Sequence, residues 1–483
     1  MSAAYPGSEF DDVWKRLTFP DDHVNPKPES RYHVVVIGAG SAGLISAIGA
    51  AGLGARVALV ERDAMGGDCL NIGCVPSKAL LEYTRQHPSP VSFDDAFRWL
   101  RRVRSEISAH DSVERYTKNG VDVFLGNARL EDDRTVVVGN SHLSARRIVI
   151  ATGARASLPP IPGLDDVIPL TNETLFNLKA PPSSLAILGA GAIGCEMAQA
   201  FSRLGVDVHL FEMADRVLPL EEEEASAAIE SALTQAGTTV YLNSAVTRAS
   251  RNADNVTLQT SELEVAADEV LVATGRRANI EDLGLEAAGV VVEDGLIKVD
   301  SKMRTSNRRI FAAGDVCSRT QFTHNADAQA RIVVQNALFA PTASTKKLVV
   351  PHCTYTKPEV AHVGRSRRDL AAESTEFDVY RIDLGELDRS RTSGDADGYV
   401  EVLTRSGHDE ILGATIVAQD AGEQIAGLCL AIAHGIGLSG LGKALLPYPT
   451  RAEYLRRLAD AYNRTRLTDL TKRLMSGWFR WSA

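Results

Sequence analysis

The sequence predicts an α/β chain: two similar parallel β–α–β folds, followed by an α+β domain. Three observations predict it. A pattern of apolar run, glycine-rich turn, helical run and second apolar run ending on an acid occurs twice. Two further buried runs end in the same Ala-Thr-Gly, "RIVIATGA" at 147–154 and "DEVLVATGR" at 268–276. From about residue 347 the composition changes to alternating strand-like runs and a long apolar helical stretch, "AGEQIAGLCLAIAHG".

Size and charge narrow the class. At 483 residues the chain exceeds what one hydrophobic core serves, so two to four domains are expected. Six cysteines, at 69, 74, 195, 317, 353 and 429, are too few and too scattered for a secreted disulfide scaffold. The opening "MSAAYPGSEFDDVWKRL" has no apolar run of signal-peptide length, and no stretch reaches a transmembrane span. A cytoplasmic location is therefore expected, where a close cysteine pair is more often catalytic than structural. A net charge of −10 argues against nucleic-acid binding.

The first repeated unit reads "HVVVIGAGSAG" at 33–43, then "LISAIGAAGLGA", then "RVALVE" closing on Glu61. The second reads "LAILGAGAIG" at 185–194, then "CEMAQAFSRLG", then "VDVHLFE" closing on Glu212. In both, 18 positions separate the third glycine from the acid. A glycine triplet between strand and helix, with an acid ending the next strand, predicts a dinucleotide site. Gly38 and Gly189 allow the tight turn, and Gly40 and Gly191 clear space for a pyrophosphate. Gly43 and Gly194 let helix and strand approach. The pyrophosphate meets unpaired helix N–H groups, and the acid accepts from a ribose hydroxyl. Glu212 would hydrogen-bond a free 2′-hydroxyl and repel a 2′-phosphate, so NADH is expected over NADPH, with Arg216 able to soften the preference.

The Ala-Thr-Gly ends mark where the chain crosses between the two folds. "RRIFAAGDVC" at 308–317 is another buried strand, ending on Gly314 and Asp315. That acid is placed to bind a ribityl hydroxyl or to cap the next helix. The resulting domain boundaries are an N-terminal extension (1–30), a first nucleotide fold in two parts (31–160 and 278–345), a second nucleotide fold (161–277), an interface domain (346–463) and an amphipathic tail (464–483).

"GGDCLNIGCVPSKALL" at 66–81 sets Cys69 and Cys74 five positions apart. On an ideal helix such residues have Cα atoms roughly 8–9 Å apart, beyond a disulfide's reach. Bridging needs irregular backbone, which Gly66, Gly67 and Gly73 permit. Pro76 suits the first turn of a following helix, so Cys74 sits where unpaired N–H groups stabilise a thiolate. This favours reversible thiol–disulfide exchange. Inert buried cysteines are the bland alternative, and no second Cys/His pair has the spacing for zinc.

Taken together these motifs resemble the class I pyridine nucleotide–disulfide oxidoreductases over residues 33 to about 460. The resemblance implies FAD at the first fold, held by Gly38, Gly40, Ser41, Gly43, Glu61, Gly67, Lys78, Thr152, Gly153, Gly314 and Asp315. It implies NADH, or NADPH, at the second fold on Gly189, Gly191, Gly194, Glu212 and Gly275. Cys74 would be the flavin-facing thiolate and Cys69 the thiol that meets the acceptor. Lys78 would lie near the flavin, paired with Glu196. The resemblance also implies a homodimer, with a small-molecule or metal-ion acceptor.

One departure separates the chain from the lipoamide- and glutathione-type members, which carry His-Pro-Thr-x-x-Glu near the end. Here the run is "YPTRAE", with Tyr448 for the histidine and Glu453 retained. Imidazole titrates near neutrality and a phenol near 10, so Tyr448 is a poor proton shuttle for a leaving thiolate. The resemblance is nearer to mercuric reductases, which also have tyrosine there. Dihydrolipoyl dehydrogenase is the first alternative and a flavin-containing redox sensor the second. Even so, the chain lacks the adjacent C-terminal cysteines of mercuric reductases, ending "SGWFRWSA". Ala192 stands where some relatives have a gating tyrosine. Cys353, a conceivable entry ligand, reads better as a packed strand residue.

Of the two ends, residues 1–30 are polar and expected to wrap the surface or stay mobile. Leu467, Leu470, Leu474 and Trp478 recur at helical spacing near Lys472, Arg473 and Arg480, predicting an amphipathic helix packed on a dimer rather than on a membrane.

Overall fold

The computed structural model describes residues 7–252 and 255–482. They form two compact units. The first runs to Asp215 and resumes over Ala236–Leu348; the second comprises Arg216–Gln235 and the chain from Val349 onward.

The first unit begins with α1 (Glu9–Thr18), β1 (Tyr32–Ile37), α2 (Ser41–Gly52), β2 (Val57–Glu61), α3 (Gly67–Asn71), α4 (Cys74–Gln86) and α5 (Phe93–Ser108). Strands β3 (Val121–Leu125), β4 (Ala128–Leu130), β5 (Thr135–Val138) and β6 (Ser141–Ile150) follow. Then come β7 (Ser184–Leu188), α6 (Ala192–Arg203), β8 (Asp207–Phe211), β9 (Thr239–Tyr241), β10 (Glu269–Val272), β11 (Ile310–Ala312) and α7 (Thr323–Leu338).

Seven strands make the larger sheet, in the order β3-β2-β1-β6-β5-β4 with β11 also on β6. Its parallel part is buried on both faces, which is why β1 reads as an unbroken apolar run. Val34 and Val36 pack into one core, with α2 and α7, while Tyr32, Val35 and Ile37 pack into the other. The smaller parallel sheet runs β9-β8-β7-β10. In both sheets the chain order reverses beside the strand that carries the glycine turn, and ligands of such sheets bind at that reversal.

The polar N-terminal extension is more structured than its composition predicts. Ser8 caps α1 in a reciprocal box with Asp11, and the helix buries Asp11, Trp14 and Thr18.

The second unit holds the helix Glu223–Gln235 and an antiparallel sheet of five strands, β12 (His352–Thr354), β13 (Glu359–Gly364), β14 (Phe377–Asp383), β15 (Tyr399–Arg405) and β16 (Ile411–Ala418). Their order is β12-β13-β16-β15-β14. Helix α8 (Glu453–Thr465) buries Tyr454, Leu455, Leu458, Ala459 and Tyr462 in this unit's core. The final helix, α9 (Asp469–Ser482), buries none of its described residues, and Leu470, Leu474, Trp478 and Trp481 are exposed. Among the described residues no helix is long and apolar enough to cross a membrane.

Candidate active site

The two glycine turns share one construction. Gly38 has φ +99°, and a Cβ there would lie 2.4 Å from the Ala151 carbonyl oxygen. Gly189 has φ +96°, and its Cβ would lie 2.8 Å from the Ala273 oxygen. Built on Gly43, a Cβ would sit 1.8 Å from the Gly38 oxygen; on Gly194, 1.9 Å from the Gly189 oxygen. Only hydrogen fits at these four positions. Gly40 and Gly191 cap α2 and α6 without any side-chain hydrogen bond, leaving helix N–H groups for an anion. Ser41 is the first residue of α2.

The two acids are also alike. Glu61 accepts from the Ala39 N–H at 2.6 Å and the Asp63 N–H at 2.8 Å. Glu212 accepts from the Ala190 N–H at 2.7 Å and the Ala214 N–H at 2.9 Å. Each carboxylate thus ties the strand end to its glycine turn and keeps lone pairs for a ribose. Burial pushes the Glu61 carboxyl above its ordinary range, against the pull of both backbone donors.

What covers the turns differs. Gly67, at φ +58°, brings its Cα against Gly40, so closely that a Cβ on Gly67 would lie 2.5 Å from the Gly40 Cα. Around Gly191 a Cβ would meet nothing within 4 Å. The segment that covers the first turn leads directly into the two cysteines.

That segment is irregular, as the spacing requires. α3 ends at Asn71, and Ile72 and Gly73 break the path before α4 starts at Cys74. Cys69 is half-buried and Cys74 exposed, both as free thiols. The neighbouring Cys69 thiol is the largest of the influences that lower the Cys74 thiol to about 6. The Thr323 hydroxyl, 3.3 Å away, and the positive charge of Lys78 act in the same direction. Cys69 is correspondingly pushed up, first by Cys74 and then by burial. One thiolate and one retained proton are the expected state at neutral pH.

Lys78 on α4 donates to Glu196 Oε2 on α6 at 2.7 Å, so this ion pair joins the two nucleotide folds. Glu196 is only 2% exposed, and such a carboxylate requires a paired cation. Thr152 Oγ1 donates to the Asn279 carbonyl at 2.7 Å, and the Asn279 N–H returns to the Gly153 carbonyl at 2.9 Å. The two Ala-Thr-Gly crossings are thereby tied, with Gly275 in the open left-handed region at φ +146°.

Asp315 is not a helix cap, because α7 starts after Phe322 with no side-chain cap. It lies 3.8 Å from Arg276 Nε, and burial lifts its carboxyl to about 6. Gly314 donates its N–H to Gln329 Oε1 at 2.8 Å. Arg276 also bonds Asp68, the neighbour of Cys69, and the Ala154 carbonyl. Thr323, Arg276 and Asp68 were not predicted as site residues. Arg276, directly after the second Ala-Thr-Gly, carried a signal; Thr323 carried none.

Tyr448 and Glu453 belong to the second unit. The Tyr448 hydroxyl donates to Asp388 Oδ2 at 2.8 Å, which raises the phenol's pKa further. Glu453 Oε1 accepts from Arg457 at 2.9 Å. Cys353 lies on β12 against this unit's core. Among the described residues no group of three His, Cys, Asp or Glu side chains is placed to hold a metal ion.

Comparison with known proteins matches two stretches of the chain. Residues 32–330 match the pyridine nucleotide-disulphide oxidoreductase model and residues 350–459 its dimerisation domain. A mercuric reductase of Bacillus cereus is 32% identical over 90% of this chain and 72% of its own length. Dihydrolipoyl dehydrogenase 3 of Pseudomonas aeruginosa is also 32% identical, over 90% of this chain and 98% of its own. The Cu(II) complex of the HOCl-induced flavoprotein disulfide reductase RclA from Escherichia coli superposes with TM-score 0.83 at 29% identity, covering 90% of this chain and all of that one.

Proposed function

Because the chain belongs to the pyridine nucleotide-disulphide oxidoreductase family, we propose that it is an NADH-dependent flavoenzyme whose Cys69–Cys74 couple reduces a thiol-bound metal ion, as in a mercuric reductase. Members of this family depend on FAD and NAD(P). The first turn fits FAD: Gly40 offers a surface without a side chain, α2 offers uncapped N–H groups, and Glu61 offers free lone pairs. The second turn fits a dinucleotide by the same features, and the Glu212 carboxylate favours a free 2′-hydroxyl, hence NADH. When bound, FAD supplies the two-electron link between a nicotinamide and a disulfide.

The observation that carries this reading is the pair of free thiols set on either side of the α3–α4 break, with Cys74 at the start of α4 and 3.3 Å from the Thr323 hydroxyl. The neighbouring Cys69 thiol and Lys78 both depress Cys74. The pair binds a thiophilic cation as a bis-thiolate and releases its one remaining proton to water. Lys78 supplies positive charge beside the Cys74 sulfur, and Glu196 holds Lys78 in place. No general acid is needed to expel a thiolate, which suits the poor proton donor Tyr448. In a homodimer, Tyr448 and Glu453 would supply the second half of the partner's site. The names of two relatives, mercuric reductase and a Cu(II) complex of RclA, support a metal acceptor. The Pseudomonas relative supports the second reading, dihydrolipoyl dehydrogenase.

An anaerobic acceptor screen tests both. NADH oxidation with thiol-complexed Hg(II) is expected in wild type and in Tyr448→Phe, and is expected to fall at least tenfold in Cys69→Ala, on the order of an essential nucleophile's loss. Lipoamide turnover at an ordinary enzyme rate would establish the second reading. Equal rates in all three proteins would show that acceptors bypass the thiols.

A further inference from the structure

We propose that α1 is a positioning element for the thiol pair, acting through a buried clamp on Asn71. The inference rests on the reading of Cys69 and Cys74 as a redox couple.

Asn71 is the last residue of α3, two after Cys69 and three before Cys74. It is fully buried, and four hydrogen bonds hold it. Its side-chain oxygen accepts from Trp14 Nε1 at 2.7 Å, and its backbone carbonyl accepts from Arg104 Nη1 at 3.1 Å. Its amide nitrogen donates to the Ala64 and Met65 carbonyls, each at 3.2 Å. Two of the four bonds therefore come from donors outside the redox segment, one on α1 and one on α5.

Arg104 is itself set by α1. Its Nη2 donates to Asp11 Oδ1 at 2.7 Å, and its guanidinium lies over the Trp14 ring, 4.5 Å from the centroid. Asp11 is 0% and Arg104 1% exposed, so each buried charge depends on the other. A second stitch runs through the backbone, where the Met65 N–H bonds the Thr18 carbonyl at the end of α1. α1 thus grips the thiol segment at Met65 and Asn71, one on each side of Cys69.

The clamp matters because the position of the Cys69 thiol beside Cys74 depends on where α3 ends. With the Trp14 bond gone, Asn71 loses a buried donor and α3 gains freedom just before the Ile72–Gly73 break. The Cys69 thiol is then held less firmly beside Cys74. The other groups facing Cys74, namely Thr323, Lys78, Glu196 and Asp315, stay as they are.

Trp14→Phe keeps the ring under Arg104 and removes only the N–H. Asp11→Asn is the second variant, and Leu458→Ala, in the core of the other unit, is the control for general destabilisation. The flavin-loaded proteins are reduced, and Cys74 alkylation by iodoacetamide is followed against pH by mass spectrometry. In parallel each protein is equilibrated with glutathione. There the dithiol plus one oxidised glutathione gives the Cys69–Cys74 disulfide plus two reduced glutathiones. The alkylation midpoint is expected to rise by about half a pH unit or more in Trp14→Phe, about threefold less thiolate below the midpoint. The glutathione equilibrium should shift with it, and Leu458→Ala should leave both unchanged. Wild-type midpoint and equilibrium in both clamp variants would overturn the inference while leaving the redox reading intact. If wild type forms no disulfide in the glutathione buffer, the redox reading itself fails, and this inference with it.

Discussion

The two glycine turns are near copies in backbone, in helix cap and in carboxylate, yet one is roofed and the other is open. Gly67 presses on Gly40, whereas Gly191 has no neighbour for a side chain to meet. With a dinucleotide on each turn, as proposed, the same anion-binding device would serve two residence times. A dinucleotide under the redox segment is enclosed by chain that must move to release it. One lying on the second turn can leave between turnovers, as a consumed electron donor must. The comparison also explains why the cysteines sit where they do, since the roof of the first turn is the segment that bears them.

The strongest way to break this comparison is to add one methyl group to each turn. In Gly67→Ala the Cβ would lie 2.5 Å from the Gly40 Cα at a positive φ, so the roof must lift. The purified protein is expected to lose most of its flavin absorbance. Gly191→Ala has room in the fold itself and meets only the ligand. It should keep its flavin and raise the NADH KM about tenfold, the order of 1.4 kcal/mol. If Gly191→Ala shed flavin, or Gly67→Ala kept it fully, the roofed and open assignments would be wrong.

Much of this was legible because it is local. The glycine triplets, their acids and the break around Gly73 each lie within about one structural unit of sequence, where spacing encodes geometry. The ties between Thr152 and Asn279 were not legible, since partners 127 residues apart share no periodicity. The α1 clamp failed to show for the same reason. Trp14 and Asn71 are 57 positions apart, and the polar residues around Trp14 made the segment read as surface. Asp315 was legible as an acid after a buried strand, and Arg276 as the residue after the second Ala-Thr-Gly, but their pairing was not. Lys78 and Glu196, 118 residues apart, were paired only through the family resemblance.

A milder change sharpens the comparison without moving the roof. Glu61→Gln and Glu212→Gln each replace one acceptor oxygen with an NH2 group that faces a backbone N–H. An unsatisfied buried donor costs about 1–3 kcal/mol, and the ribose contact weakens with it. Glu61→Gln should weaken flavin retention, measured as the apparent Kd on reconstitution, with the NADH KM unchanged. Glu212→Gln should do the reverse, and should narrow the gap between NADH and NADPH because the charge that repels a 2′-phosphate is gone. Crossed effects, flavin loss in Glu212→Gln or a raised NADH KM in Glu61→Gln alone, would mean that the two sites are not separable.

The smallest effect is expected where the two folds meet, at Lys78 and Glu196. Lys78 stands on the roofed side and lowers the Cys74 thiol, although the neighbouring Cys69 thiol lowers it more. With the thiol at about 6, alkylation of Cys74 in wild type should rise through that pH and level off above neutrality, falling away as acid protonates the sulfur. Lys78→Met removes the cation and leaves Glu196 charged and buried, so both changes push the thiolate the same way. The alkylation midpoint should move upward, by less than in a protein lacking the Cys69 donor. Cys69→Ser, whose hydroxyl still donates, should shift it less than Cys69→Ala. A midpoint unmoved in Lys78→Met but strongly raised in Cys69→Ala would assign the whole depression to the sulfur pair. The ion pair would then act as a strut between the folds rather than as a source of charge.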